Sequence, residues 1–349
     1  MNATVKAVVR RTVSLVAVAS GCCAVQRHLV RKDGAYIFYG HRVASDDEGY
    51  LEGLRPDWLD AQLAYLARHY EIISLSDLVR CFETCQPVPS PSAVITFDDG
   101  FRDNLTAALP IVQKYRVPAT VFLVTGCISS GELPWPQYLG YLFQHTSRTT
   151  VVAEVAGSQR ELDLGSPPSR RRACLLVKEG LGRLPRSERE QQLRQWCRLL
   201  GVDPPRDRML SWSEVKEMHA AGVEFGAHTY SHPWLACIPL DEAREEMQRS
   251  RDDLATKLGV VRPPFCFPGG SFTEELLAMV PRLGFASCFR PNPRQRLNSL
   301  ATATAYSLGR VGLPNGPAVE LIAEIDGPLP TLRRWFGRQV KQTVVATTR

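Results

Sequence analysis

Two short stretches of this chain carry side chains that could do chemistry together. In Thr96–Phe97–Asp98–Asp99–Gly100, two adjacent carboxylates close an apolar run. One carboxylate can bind a cation while its neighbour takes a proton from bound water. Side chains alternate along a strand, so both carboxylates reach one site only at a turn, which Gly100 permits. Taken alone, Asp-Asp-Gly is an ordinary surface turn. His228–Thr229–Tyr230–Ser231–His232 supplies two imidazoles four residues apart. On one helical turn that spacing can grip a single zinc ion; in a loop it can be a hydrogen-bonded pair. Together the motifs are more specific. One Asp and two His make a three-ligand set with an open position for water, and the second Asp remains as a base.

The surrounding sequence predicts the elements that would position these groups. Ala35–Tyr39, Glu71–Leu75, Ala93–Phe97, Ala119–Val124, Val223–Ala227, Phe265–Phe267 and Ala286–Phe289 read as strands. Helices fall between them: one opened by Pro56, one capped by Ser76, one from about Asn104 to Tyr115, one over Asp241–Leu258 and one over Glu274–Leu283. Ser211 and Glu214 resemble a capping box for a further helix stopped by Gly222. Alternation of this kind implies an α/β fold with a parallel sheet, and each reactive motif stands directly after a strand. The interval from about 131 to 208 breaks the rhythm and is predicted to be an insertion packed over the barrel. The tail from 313 to 349 is expected to be helical.

Composition narrows the class less. At 349 residues, 44% hydrophobic and 22% charged, the chain is that of an ordinary globular protein. The net charge of +6 suits an anionic polymer or headgroup without selecting one, and nothing points to nucleic acid. Ten irregularly spaced cysteines read as reduced core thiols, which leans toward the cytoplasm. Residues 1–33 hold an uncharged stretch from Thr12 to Gln26 with cations on both flanks. It reads as an amphipathic helix against a membrane or the protein body, or as a targeting segment.

The sequence resembles the polysaccharide deacetylase family, the NodB-homology carbohydrate esterases. The resemblance rests on Val94–Phe101, on Gly226–His232 and on Phe267–Pro268–Gly269–Gly270–Ser271–Phe272, and spans roughly Ala35 to Arg310. It implies a deformed (β/α) barrel over residues 34–312, and hydrolysis of N-acetyl groups on the amino sugars of a glycan with a divalent metal, usually zinc. Residue by residue, it makes Asp98 the base and Asp99, His228 and His232 the ligands. The turn Pro268, Gly269, Gly270 would supply the oxyanion donor. Two departures stand out. No arginine occupies the family's Arg-x-Pro-Tyr position, where Cys266 now stands, and Arg310 is the candidate replacement. No histidine follows His232, whereas Tyr39–Gly40–His41–Arg42–Val43 matches a subgroup in which that histidine is the acid, so His41 is assigned the role. The remaining histidines, His28, His69, His145 and His219, fit no motif. A deformylase or deacetylase of a lipid-linked or small amide is the alternative, as is a glycan-binding homologue that has lost catalysis.

Overall fold

The computed structural model describes residues 3–29, 33–155, 157–290 and 296–327. Its centre is a nine-stranded sheet curled into part of a barrel, a deformed (β/α) barrel. Seven strands run in the order Ser287–Cys288, Pro264–Phe265, Glu224–Ala227, Thr120–Leu123, Ser92–Phe97, Ala35–Gly40 and Leu297–Asn298. Glu71–Ile72 pairs with Ser92–Phe97, and Val311–Gly312 with Ala35–Gly40. All neighbours are parallel except Leu297–Asn298, which runs antiparallel to Ala35–Gly40. The strand Ser92–Phe97 is buried along its whole length, as expected where helices cover a parallel sheet. Phe38, Ile95, Val121 and Phe225, on the helix-covered face of the sheet, join Leu59, Leu63 and Leu66 of the helix Pro56–His69 in the main core.

The capping predictions meet two outcomes. Ser211 accepts from the Glu214 N–H while the Glu214 carboxylate accepts from the Ser211 N–H, and this box opens Trp212–Ala220. The other predicted cap is displaced. Ser74, not Ser76, accepts from the Asp77 N–H, so the helix begins at Leu75 and the strand ends at Ile72. Ser76 instead donates to Glu224 of another strand. The stretch Asn104–Ala108 is a wide π-turn feeding the α-helix Leu109–Tyr115, not one continuous α-helix.

Residues 131–208 have a hydrophobic cluster of their own. Two helices (Pro167–Leu181 and Arg186–Leu200) pack on the helix Trp135–His145, and a hairpin (Thr150–Val155 with Ser158–Asp163) packs on Pro167–Leu181. Leu139, Phe143, Val177 and Trp196 are buried in that cluster. Near the chain's ends, α1 (Ala3–Ala19) packs on the helix Ala318–Ile325, and α2 (Cys22–Leu29) turns back against α1. The rest of the predicted helical tail, from 328 onward, lies outside the described residues.

Candidate active site

His41, Asp98, His228 and Cys266 each directly follow the C-terminal end of a strand, whereas Arg310 stands just before the strand Val311–Gly312. The Asp98 N–H donates to the Gly40 carbonyl at 2.9 Å and so extends the ladder by one residue. Asp99 then adopts φ 76°, outside the strand region. That reversal breaks the alternation of side chains and brings both carboxylates to one side. Gly100 follows at φ 82°, where an added Cβ would stand 2.7 Å from Leu123. The position therefore requires glycine on two counts.

The histidine pair is held by a loop, one of the two settings that the four-residue spacing allows. Thr229 and His232 both have positive φ, 66° and 61°. Thr229 Oγ1 accepts the His232 N–H at 3.0 Å and donates to the His228 carbonyl at 2.5 Å, clamping the loop from inside. Non-glycine residues in this region cost roughly 1–3 kcal/mol each and persist only where surroundings enforce them. Three of them, with Asp99, converge here.

His228 Nε2 and His232 Nε2 lie 3.5 and 3.3 Å from Asp99 Oδ1. His228 Nδ1 faces the Cys266 carbonyl at 2.7 Å. A carbonyl only accepts, so Nδ1 carries the proton and Nε2 presents its lone pair. Burial pulls the His228 pKa down to about 4, which keeps the imidazole in its neutral, ligating form. Asp99 Oδ1 is buried and has no hydrogen-bond partner among the described residues. A buried anionic oxygen flanked by two imidazole nitrogens has the chemistry of a divalent-cation site. Asp98, His228 and Cys266 form a second cluster of comparable span. Burial raises the Cys266 thiol well above its ordinary pKa, so it stays protonated and is the poorer ligand.

Arg310 reaches Asp98 in a two-pronged contact, with its two terminal nitrogens 2.7 and 2.8 Å from Oδ1 and Oδ2. The guanidinium is stacked between Tyr39 and Phe289, 4.6 and 4.5 Å from their ring centres, and also lies 2.9 Å from Cys266 Sγ. Burial opposes ionisation of Asp98, but the charge and the hydrogen bonds of Arg310 act together to hold the carboxyl below its usual range. In turn Asp98 overcomes the effect of burial on Arg310 and raises its pKa. His41 is half-buried at the end of Ala35–Gly40, with its carbonyl accepting from Asn104 at 2.8 Å and its ring 5.9 Å from that of Tyr39.

The turn Pro268–Gly270 offers one free donor. Proline has no N–H, and the Gly270 N–H donates to Phe267 at 3.0 Å. Gly269, at φ 58° and exposed, has no bond to its N–H among the described residues.

Sequence reasoning passed over the residues that hold the histidine loop. Glu246 accepts from the Ser231 N–H and hydroxyl, both at 2.7 Å. Arg189, 1% exposed, donates to Ser231 Oγ at 3.1 Å and lies over the Trp135 ring. Trp135 Nε1 donates to the His232 carbonyl at 2.8 Å. Ser231 could have been suspected from its place between the histidines. Arg189 and Glu246 sit in charged helices with nothing in their spacing to mark them.

Residues 86–288 match the family model for polysaccharide deacetylase. No curated protein matches the chain. Among solved structures, the deacetylase PplD of Streptococcus pyogenes, in complex with acetate, superposes with a TM-score of 0.54 at 20% identity, over 85% of this chain and 99% of that one. IcaB from Ammonifex degensii gives 0.53 at 19% identity, over 83% and 96%. A de-N-acetylase from Aggregatibacter actinomycetemcomitans gives 0.52 at 15%, over 83% and 100%. At these identities the likeness is one of fold.

Proposed function

Because the chain belongs to the polysaccharide deacetylase family, we propose that it hydrolyses N-acetyl groups from the amino sugars of a glycan, with Asp98 as base and a divalent ion held by Asp99, His228 and His232. Zinc suits the imidazole-rich donor set, and when bound it supplies Lewis acidity toward the amide carbonyl and the attacking water. Asp98 takes the proton of that water. Arg310 keeps Asp98 ionised and both its oxygens oriented, so the base is ready at neutral pH. The Gly269 N–H donates to the oxygen on which negative charge develops. His41 gives a proton to the departing nitrogen, releasing acetate and a free amino sugar.

The observation that carries this reading is the pairing of an unpartnered buried Asp99 oxygen between two imidazoles with a second carboxylate held by arginine. A cleft of about 530 Å³ lined by Arg42, Ser45, Asp46, Arg102, Asp103 and Arg208 opens beside the loops after Gly40 and Gly100. None of Asp98, Asp99, His228 and His232 lines it, so it is a neighbour of the reactive cluster and not the cluster's own pocket.

The test is acetate release from chito-oligosaccharides and from N-acetylated glycans of other linkage, with and without chelator. Release should stop on chelation and return with zinc. Asp98→Asn should retain metal and lose turnover by about 10²–10⁴. Full turnover in Asp98→Asn, or in thoroughly chelated protein, would remove the assignment.

A further inference from the structure

The pair α1–α2 wears its apolar side outward. On α1, Val8, Val9, Leu15 and Val16 are 59%, 47%, 49% and 63% exposed, and on α2 Val25 and Leu29 are 58% and 79% exposed. Ala19 is exposed with them, and positions 8, 12, 15, 16 and 19 fall on one helical face. Thr12, in the middle of that face, turns its hydroxyl back to the Val8 carbonyl at 3.0 Å, so it offers little to water. The inward side buries only small apolar groups, Ala17 and Cys23, with polar ones among them. Ser14 is fully buried and donates to the Arg10 carbonyl at 2.9 Å, and Arg10 pairs with the buried Glu320. This is the reverse of a helix on a water-facing surface.

Charge says what could cover such a face. Lys6, Arg10, Arg11, Arg27, Arg31 and Lys32 precede the first acidic residue, Asp33. That leaves 36 of the 42 Lys and Arg against 36 Asp and Glu, so the first 32 residues carry the whole net charge of +6. A second copy of this chain would oppose like charges across the contact, whereas anionic headgroups complement them. At 17 residues α1 is short of the roughly 20 needed to span a bilayer alone; with α2 it reaches that length by composition, but across a 69° bend, which suits an interfacial seat better than a straight span. We propose that the outward face of α1 and α2 lies in the surface of an anionic lipid bilayer, with Val8, Leu15, Val16, Val25 and Leu29 entering the acyl boundary and the net positive charge of the segment drawing it to the headgroups. This stands independently of the hydrolytic reading.

The test is co-sedimentation of the full chain with large vesicles of phosphatidylcholine alone, or of phosphatidylcholine with phosphatidylglycerol. Each cation near an anionic leaflet is worth on the order of fivefold in partitioning, so the anionic vesicles should retain at least about tenfold more protein, with high salt reversing the excess. Leu15→Glu/Val16→Glu should stay in the supernatant with an unchanged melting temperature. If that variant fails to fold, Val16→Glu alone serves. Three results would overturn the proposal. The unaltered chain could stay in the supernatant with both vesicles. It could form a dimer without lipid that Val16→Glu splits, which would assign the face to a second copy. Protein from its native host could begin beyond Leu29, which would make the segment a leader.

Discussion

At the scale of single residues, the arrangement turns on how a buried carboxylate stays charged. Asp98 and Arg310 are 4% and 12% exposed, and each satisfies the other along two hydrogen bonds. Removing one partner of such a pair leaves an uncompensated buried charge and costs about 3–5 kcal/mol. In Arg310→Met, burial becomes the dominant influence on Asp98 and pushes its pKa up. A base with a raised pKa is protonated over a wider range, so the acid limb of kcat/KM should move to higher pH and activity should recover as pH rises. The stability argument runs the same way. The lowered folded-state pKa of Asp98 gives stability that is fully present above the ordinary carboxyl pKa near 3.8 and is lost as pH falls from there through the lower folded-state value. Arg310→Met should lack that increment in melting curves taken across pH. Arg310→Lys should recover only part of both effects, because an ammonium cannot make the two-pronged contact. An acid limb that does not move in Arg310→Met would mean that Asp98 does not titrate in the rate profile.

At the scale of elements, the insertion helix Arg186–Leu200 reaches into the site through Arg189. Its guanidinium bridges the Leu184 carbonyl at 3.0 Å to Ser231 Oγ, and so supports the loop between the two histidines. Outer partners of ligating histidines commonly contribute 10–100-fold to metal affinity. Arg189→Met keeps the stem over Trp135 and removes the donors. We expect zinc affinity, measured by competition with a chromophoric chelator, to fall by about tenfold or more, while kcat at saturating zinc changes less. Equal affinity in the variant and the parent would reduce Arg189 to a packing residue. This contact also marks where the sequence stops being legible. The strands, the Ser211 box and the two motifs could be read because each is a local pattern of period, cap or spacing. The Asp98–Arg310 pair could be suspected only because a family position lacked its arginine. Arg189 and Glu246 act across 42 and 15 residues of chain on Ser231, and no local rule encodes such a distance. The spacing of the histidines leaves helical turn and loop undecided because four residues fit both, and the left-handed Thr229 and His232 are set by tertiary contacts.

At the scale of the whole molecule, the question is whether two hydrophobic clusters make one cooperative unit. The helix Trp135–His145 belongs to both, since Tyr138 packs against each, and Trp135 and Arg189 join the second cluster to the histidine loop. A defect in the insertion should therefore be felt at the barrel. Trp196 is 3% exposed and its ring lies 5.3 Å from that of Phe143. Trp196→Ala should cost about 3–5 kcal/mol through lost burial and an incompletely filled cavity. Calorimetry should show one transition, shifted down, not a new early one. Zinc should raise that same transition in parent and variant alike, because an ion bound only to the folded state at about a hundredfold over its Kd adds about 2.7 kcal/mol to the unit that contains the site. The contrary result is specific. If Trp196→Ala splits the melt, with zinc moving only the upper step, then residues 131–208 unfold on their own. Arg189 and Trp135 would then contribute to the site only while that separate unit is folded.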